Sequence, residues 1–270
     1  MDVKKPDKKT AELFALITGA KRCAALTGAG VSTLSGIRDF RGKNGLYQEM
    51  DAEKIFDVNY FFQDPSFYYS QAKHFIYDLE EKRPSVVHTV LGDMEKRGLL
   101  KALITQNIDL LHTRGGSERV IEIHGSPQAH YCPTCQRSAA AEEAILAGEV
   151  RKRGFMEFGE AAEIVQRGEL PRCGKCGGVL KPAITFFGES LPAHALAAAE
   201  KEAERADLML VLGTSLTVFP AAGLPQLTLR NGGRIVIVND METPMDHYAV
   251  SRFNDLETVF EGLKTLVSSY

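Results

Sequence analysis

A short apolar run at residues 22–26 leads directly into LTGAGVSTLSGIRDFRG, residues 26–42, and no other stretch restricts the fold as much. A buried strand that turns at once through glycines and small residues is the start of a βα unit. Gly28 and Gly30 can take positive φ without a Cβ clash, which would let the main chain turn sharply and pass close to something bulky. Amides opening toward a helix start at such a turn make a seat for phosphate. The spacing departs from the ordinary dinucleotide fingerprint G-x-G-x-x-G: Thr33 stands at the third glycine position and Gly36 follows later. Taken alone, the turn suits a structural role as well as it suits a nucleotide. Its tail, Asp39-Phe40-Arg41-Gly42, adds an acid, an aromatic face and a guanidinium, the last of which matches phosphate oxygens.

A chain of 270 residues with 44% hydrophobic content can bury a sizeable core, as one large domain or two unequal ones. Lys and Arg number 32 against 35 acidic residues, and a net charge of −3 gives no reason to expect nucleic acid or an anionic membrane as partner. The first ten residues, MDVKKPDKKT, are charged and lack an apolar core, and no later run approaches the ~20 apolar residues of a membrane span. A cytoplasmic protein is expected. No feature specifies an oligomer, and the chain is read as a monomer.

Residues 10–20 carry Leu13, Phe14, Leu16 and Ile17 at helical spacing, whereas residues 45–64 show no sustained period. Residues 65–81 read as one helix with Phe67, Tyr68, Phe75 and Leu79 on its apolar side, aromatics assigned to the core rather than to a ligand stack. A helix at 88–98 ends at glycine and a strand follows at 100–105. TQNIDLLH, residues 105–112, then falls at the carboxyl end of that strand, where open α/β sheets bind ligands. Gln106, Asn107 and Asp109 offer two amides and a carboxylate to a carboxamide or to ribose hydroxyls; they equally describe a hydrogen-bonded turn and helix cap. After an apolar run at 120–123, His124 beside Gly125 is a candidate general base, with a satisfied buried histidine as the alternative. Of the other six histidines only His112 has a comparable setting.

Five cysteines divide into Cys23, inside the first strand, and two pairs, Cys132-Pro-Thr-Cys135 and Cys173-Gly-Lys-Cys176. Four thiolates in two such knuckles close a tetrahedral zinc site, structural because no coordination position stays open. The gap at 136–172 is longer than in a zinc ribbon, and a redox role lacks the βα unit it would need. Residues 139–153 and 158–168 read as helices within this lobe. PAITFFGE, 182–189, reads as an extended edge, with Phe186 and Phe187 facing core or an aliphatic ligand. An alanine-rich helix at 193–206 precedes a continuous apolar strand at 207–212, of the kind buried on both faces. Gly213-Thr214-Ser215 repeats the small-residue turn at a strand end. The strand at 234–238 ends in Asn239-Asp240, and an amphipathic helix at 256–267 closes the chain.

In order along nearly the whole chain, the glycine stretch, TQNIDLLH, His124-Gly125, both C-x-x-C pairs, FFGE, GTSL and Asn239-Asp240 resemble the sirtuins, the NAD-dependent protein-lysine deacylases. The resemblance implies an α/β fold: a Rossmann-like parallel-sheet domain from residues 1–43, 86–128 and 181–270, with a smaller domain made of a helical insertion, 44–85, and a zinc-binding insertion, 129–180. It implies NAD as co-substrate and a structural Zn2+ on Cys132, Cys135, Cys173 and Cys176. Carried over by position, Gly28, Ala29, Gly30, Thr33, Phe40 and Arg41 belong to the cofactor loop, with the diphosphate on amides near Ala29 and on Arg41. Gln106, Asn107, Ile108, Asp109 and His124 line the nicotinamide and ribose, while Gly213, Thr214, Ser215, Asn239, Asp240 and the backbone near Leu256 hold the adenosine half. His124 matches the catalytic base, with Asn107 beside it in the catalytic set. Ile184, Thr185, Phe186, Gly188 and Glu189 match the segment along which an acylated peptide adds as a strand, opposite the segment after Gly213.

The implied reaction starts with attack of the acyl oxygen on the ribose carbon as nicotinamide leaves. His124 then takes a proton from a ribose hydroxyl, and water finally frees the lysine, leaving O-acyl-ADP-ribose, O-acetyl-ADP-ribose from an acetyl substrate. The chain departs from the family pattern at Arg38, where proline is common, at Thr185, where an apolar residue is common, and in the longer zinc lobe. Sirtuins that remove acidic acyl groups share a Tyr-x-x-Arg pair; the matching place here, Tyr69 to Ala72, has no arginine. A neutral acyl group is therefore expected, because a succinyl carboxylate buried without a partner is costly. Two alternatives stay open: a protein ADP-ribosyltransferase, and a non-catalytic NAD or acyl-lysine binder. Partners are acetylated or acylated lysines in proteins, with no membrane and no direct nucleic-acid binding.

Overall fold

A computed structural model describes residues 7–39, 45, 52–135 and 155–270. Nine strands lie among these residues: β1 Cys23–Thr27, β2 Ala102–Thr105, β3 Val120–Glu122, β4 Gly125–Tyr131, β5 Phe155–Glu157, β6 Lys181–Ile184, β7 Leu208–Leu212, β8 Arg234–Val238 and β9 Ala249–Phe253. The chain divides into two compact units, one of residues 1–45, 83–123 and 193–270, the other of residues 46–82 and 124–192.

The first unit is built on a parallel sheet in the order β3-β2-β1-β7-β8-β9. Every residue of β1 and β7 is buried. Runs such as LMLVL therefore show no alternation, as in sheets covered on both faces. The order is that of a doubly wound α/β sheet, with its direction of winding reversing between β1 and β7. Local signals explain the helices. Lys8–Gly19 is capped by Asp7, whose carboxylate accepts from Thr10 N–H at 2.7 Å, and buries Leu13 and Ile17, one turn apart. Leu256–Ser268 is capped by Asp255 and buries Val259, Phe260, Leu263 and Val267. These side chains share one core with Val87, Val90, Leu91 and Met94 of the helix Val86–Lys96.

Where the winding reverses, two loops touch backbone to backbone. Gly28 N–H donates to Leu212 O at 3.0 Å, Gly30 N–H to Gly213 O at 2.9 Å, and Gly213 N–H to Val238 O at 2.9 Å. A Cβ on Gly30 would lie 2.8 Å from Gly213 Cα, and Gly213 itself has φ +59° with Val31 N 2.6 Å from where its own Cβ would stand. Only glycine meets both demands.

The second unit holds the antiparallel sheet β5-β4-β6 and an aromatic core. Phe186 is central, its ring centroid 5.4 Å from that of Phe61, 5.7 Å from Phe56 and 5.1 Å from Tyr68. Gly125 has φ +76°, and a Cβ there would overlap Ala183 O, so β4 can meet β6 this closely only through glycine.

Most elements read from the sequence recur within a few residues. The helix expected over 65–81 does not: it stops at Ala72, passes through turns at 73–78 and ends in a 3-10 turn, Leu79–Glu81. In a continued helix Tyr77 would point away from the stripe of Tyr68, Ala72, Ile76 and Leu79. In the looser path it is buried, its ring stacked on Phe158 and its hydroxyl 2.6 Å from His130 Nε2. Residues 45–64, which lack a period, contain the short helices Ala52–Ile55 and Val58–Gln63. β4, β5 and β9 were not legible, and the helix expected at 139–153 lies outside the described residues.

Gly30→Ala should destabilise the protein by about 1–3 kcal/mol, because the methyl group must displace main chain. Gly19→Ala, with nothing within 4 Å of the added methyl, should be neutral or slightly stabilising. Urea unfolding of both variants measures the contrast; equal effects would refute the packing explanation.

Candidate functional site

The carboxyl ends of β1 and β2 carry a dense polar cluster in the first unit. Asn107 and Asp109 follow β2 and are both buried. Asn107 Nδ2 donates to Gly28 O at 3.1 Å and to Ser32 Oγ at 3.1 Å, while Ser32 Oγ donates to Asp109 Oδ2 at 2.6 Å. Asp109 Oδ1 accepts from Leu111 N–H at 2.9 Å. Asn107 Oδ1 makes no hydrogen bond among the described residues, so the acceptor side of this buried amide is available to a hydroxyl or amide donor. Gln106 Nε2 reaches Thr214 Oγ1 at 2.9 Å, linking the ends of β2 and β7. Ile108, between Asn107 and Asp109, is half-buried.

Beneath this cluster lie two histidines that the sequence reading left aside or mentioned only in passing. His88 Nδ1 accepts from Ser85 N–H at 3.1 Å, and its Nε2 faces Ser32 Oγ at 3.4 Å. His112 Nε2 is 2.9 Å from Thr27 Oγ1, which also bonds Thr105 Oγ1 at 2.8 Å; His112 Nδ1 is buried without a partner. The two rings sit 4.6 Å apart. Burial lowers the pKa of His88, opposed by the negative charge of Asp109, to about 4. Burial and the neighbouring His88 hold His112 well below its ordinary value. Both imidazoles are neutral near pH 7, where they orient Ser32 and Thr27 without adding charge. Ser32 stands inside the glycine stretch and His112 three residues after Asp109, so both were within reach of the sequence; His88 had no local signal.

The glycine turn differs from expectation in its backbone: neither Gly28, at φ −128°, nor Gly30 takes a positive φ, and glycine is needed there for close approach to Gly213 and Thr214. The amides of Gly28 and Gly30 are spent on Leu212 O and Gly213 O, whereas that of Ala29, at the first position of the 3-10 turn Ala29–Ser35, has no partner among the described residues. Thr33 Oγ1 is exposed and donates to Gly30 O at 2.9 Å. Phe40 and Arg41 lie outside the described residues. Ser215 Oγ pairs with Thr217 Oγ1 at 2.9 Å. After β8, Asn239 Nδ2 turns back to Met241 O at 2.9 Å, and the exposed Asp240 accepts from Met241 N–H at 2.9 Å. Leu256 places its side chain against the core.

In the second unit His124 is half-buried in the turn that joins β3 to β4, and its carbonyl accepts from Thr185 N–H at 2.8 Å. Along the expected peptide-binding segment, Ile184 and Phe186 point inward and Phe187 is exposed. Phe187 is bound on both sides, its N–H to Phe56 O at 2.7 Å and its carbonyl to Val58 N–H at 3.1 Å. Gly188 is exposed, and its N–H and C=O have no partner among the described residues. The four paired cysteines converge, with all four Sγ atoms within 4.8 Å of one another.

The family model described as the Sir2 family matches residues 28–220. The chain belongs to the Sir2 family. It is 40% identical over 246 residues to an NAD-dependent protein deacetylase of Thermotoga maritima, a match that covers 91% of this chain and 93% of the relative. Its fold is similar to that of a Sir2 protein solved with a deacetylated p53 peptide and 3'-O-acetyl ADP-ribose, at a TM-score of 0.83 and 38% identity, over 96% of this chain and 98% of the other. A Sir2 protein solved with a p53 peptide and NAD+ gives a TM-score of 0.80 at 36% identity, covering 100% and 98%.

The residues present fit what a Sir2 protein holds. For a dinucleotide, the first unit offers the crevice of a winding reversal, glycines where main chain must come close, the Ala29 amide and buried amide and carboxylate groups beside it. For zinc, Cys132 and Cys176 Sγ are 3.5 Å apart and Cys135 and Cys173 Sγ 4.0 Å. Four thiolates about 2.3 Å from one ion sit about 3.8 Å from each other, so the cluster already has the dimensions of a closed tetrahedral site.

One zinc ion per chain is expected by elemental analysis, and Cys173→Ser should lose it on dialysis and unfold at lower temperature; a metal-free protein with unchanged unfolding would refute the assignment. Stability should also depend on pH in a defined direction. Because the two imidazoles take up protons less readily in the fold than their ordinary value of 6.5, the unfolded chain binds more protons below it. Their contribution is complete above about pH 6.5 and is lost as the pH falls towards about 4. Chemical unfolding across that window should show the fall, and His88→Gln should make it shallower.

Proposed function

We propose that the protein is an NAD-dependent protein-lysine deacylase, acting chiefly on acetyl-lysine, that moves the acyl group to ADP-ribose and releases nicotinamide and free lysine. The observation that carries this reading is the buried Ser32–Asn107–Asp109 cluster at the strand ends beside the winding reversal of a Sir2 protein. NAD supplies an electrophilic ribose carbon and nicotinamide as leaving group. The chain's own residues bind, orient and move a proton around that carbon. The Ala29 amide, with Arg41, takes the diphosphate. Asn107 is held rigidly through Nδ2 by Gly28 O and Ser32, which leaves Oδ1 to accept from a ribose hydroxyl or the carboxamide of nicotinamide. Asp109, fixed by Ser32 and Leu111 N–H, presents a carboxylate to the same amide. His124 takes the proton of the ribose hydroxyl. Thr214, Ser215, Asn239, Asp240 and the backbone at Leu256 form the adenosine end.

The acylated peptide adds as an extra strand on the free main chain of Gly188, a mode that is largely indifferent to peptide sequence. A neutral acyl group is favoured by the place where an acid-selective relative would carry arginine. Here Tyr69 donates its hydroxyl to Leu180 O at 2.6 Å and Ala72 is fully buried, so no guanidinium stands ready for a carboxylate. No described helix is long and apolar enough to cross a membrane. A reducing cytoplasm suits a four-thiolate metal site, and a monomer is sufficient for every residue named.

Incubation of the purified protein with NAD and a panel of acylated peptides should release nicotinamide and yield O-acyl-ADP-ribose by mass spectrometry, faster with acetyl- than with succinyl-lysine. His124→Ala should lower the rate at least about a hundredfold. Label from NAD left covalently on protein would favour ADP-ribosyl transfer instead, and peptide binding with no turnover would make the protein a binder.

A further inference from the structure

Lys181 opens β6 and is 1% exposed, and His130 is the one other buried polar or charged side chain among the described residues of its unit. Taking an ammonium out of water costs several kcal/mol unless an opposite charge and hydrogen bonds replace its hydration. Here they are supplied by the segment that follows. Nζ donates to Ile184 O at 2.8 Å and Pro182 O at 3.3 Å and pairs with Glu189 Oε2 at 2.9 Å, with the Phe186 ring 4.0 Å away. The same Glu189 oxygen accepts from Phe186 N–H at 2.7 Å, and Glu189 N–H donates to Phe186 O at 3.0 Å. Ammonium, carboxylate and turn make one closed hydrogen-bonded unit. Burial holds the Lys181 pKa below its ordinary value, and Glu189 opposes that shift.

Packing alone does not call for this arrangement, since an apolar pair of the same volume would fill the space at no electrostatic cost. What the charges add is direction. Lys181 fixes Ile184 O from below and holds Glu189, and Glu189 draws Phe186 N–H inward. Gly188 is then left as the exposed position of the turn, with both of its main-chain groups unpaired among the described residues. We propose that Lys181 is a positioning residue for the acylated peptide, setting through Ile184 O and Glu189 the turn whose free Gly188 main chain receives the peptide strand. This inference rests on the deacylase reading for its functional consequence, and on the geometry for the clamp itself.

Two readouts keep those levels apart: amide hydrogen exchange at residues 185–189 in the free protein, and steady-state KM values for acetylated peptide and for NAD. Lys181→Met leaves Glu189 without its cation and risks misfolding, so Lys181→Gln, which keeps a hydrogen-bond donor without the charge, carries the test if Lys181→Met does not fold. In either variant exchange at Phe186 and Glu189 should accelerate, and peptide KM should rise about tenfold while NAD KM and kcat stay within about twofold. Lys181→Arg should recover most of the peptide affinity. A folded Lys181→Met or Lys181→Gln variant with ordinary peptide KM, or equal losses in peptide KM, NAD KM and kcat, would overturn the proposal. A wild-type protein that turned over no acylated peptide would instead overturn the deacylase reading, with the exchange result still deciding whether the clamp exists.

Discussion

The main-chain contact of Gly28 and Gly30 with Gly213 is the constraint on which the first unit turns. It lies where the sheet's winding reverses, so it holds together the two halves of the sheet at the end where a crevice forms. Side chains on those three residues would force the loops after β1 and β7 apart. Close approach instead spends the Gly28 and Gly30 amides on carbonyls of β7 and its loop, and leaves the Ala29 amide without a partner among the described residues.

The same approach brings Gly28 O within reach of Asn107, and from there a continuous polar network runs to Ser32, Asp109, His88 and, through Thr27 and Thr105, His112. Buried polar groups are tolerable when each finds a partner, and a network so satisfied keeps its members in single orientations. Neutral histidines serve this purpose well: they direct hydrogen bonds without placing a second charge next to Asp109. The exception in this network, His112 Nδ1, is informative because buried atoms without a partner are rare.

The second unit reaches order by other means. Its sheet has three strands and its core is largely aromatic rings around Phe186, with a four-cysteine cluster at one place and the Lys181–Glu189 pair at another. A small unit cannot bury enough apolar surface to specify every loop, and a metal or a satisfied charge pair supplies the missing restraint.

Much of this was legible in the residues because it is written locally. Strands buried on both faces appear as unbroken apolar runs at 208–212 and 235–238, the first ended by Gly213 and the second by Asn239-Asp240, and the two cysteine pairs point to a metal by their spacing. The ordered motifs, by their resemblance to the sirtuins, then implied the family, the α/β sheet and the four-cysteine cluster. Tertiary structure decided what depends on partners far apart in the chain: the strands β4, β5 and β9, the broken helix that lets Tyr77 turn inward, the choice of Ala29 over its flanking glycines, the places of His88 and His112, and the burial of Lys181. Sequence periodicity reports which side of an element faces water, whereas a hydrogen-bond partner on another element exists only after the chain has closed upon itself.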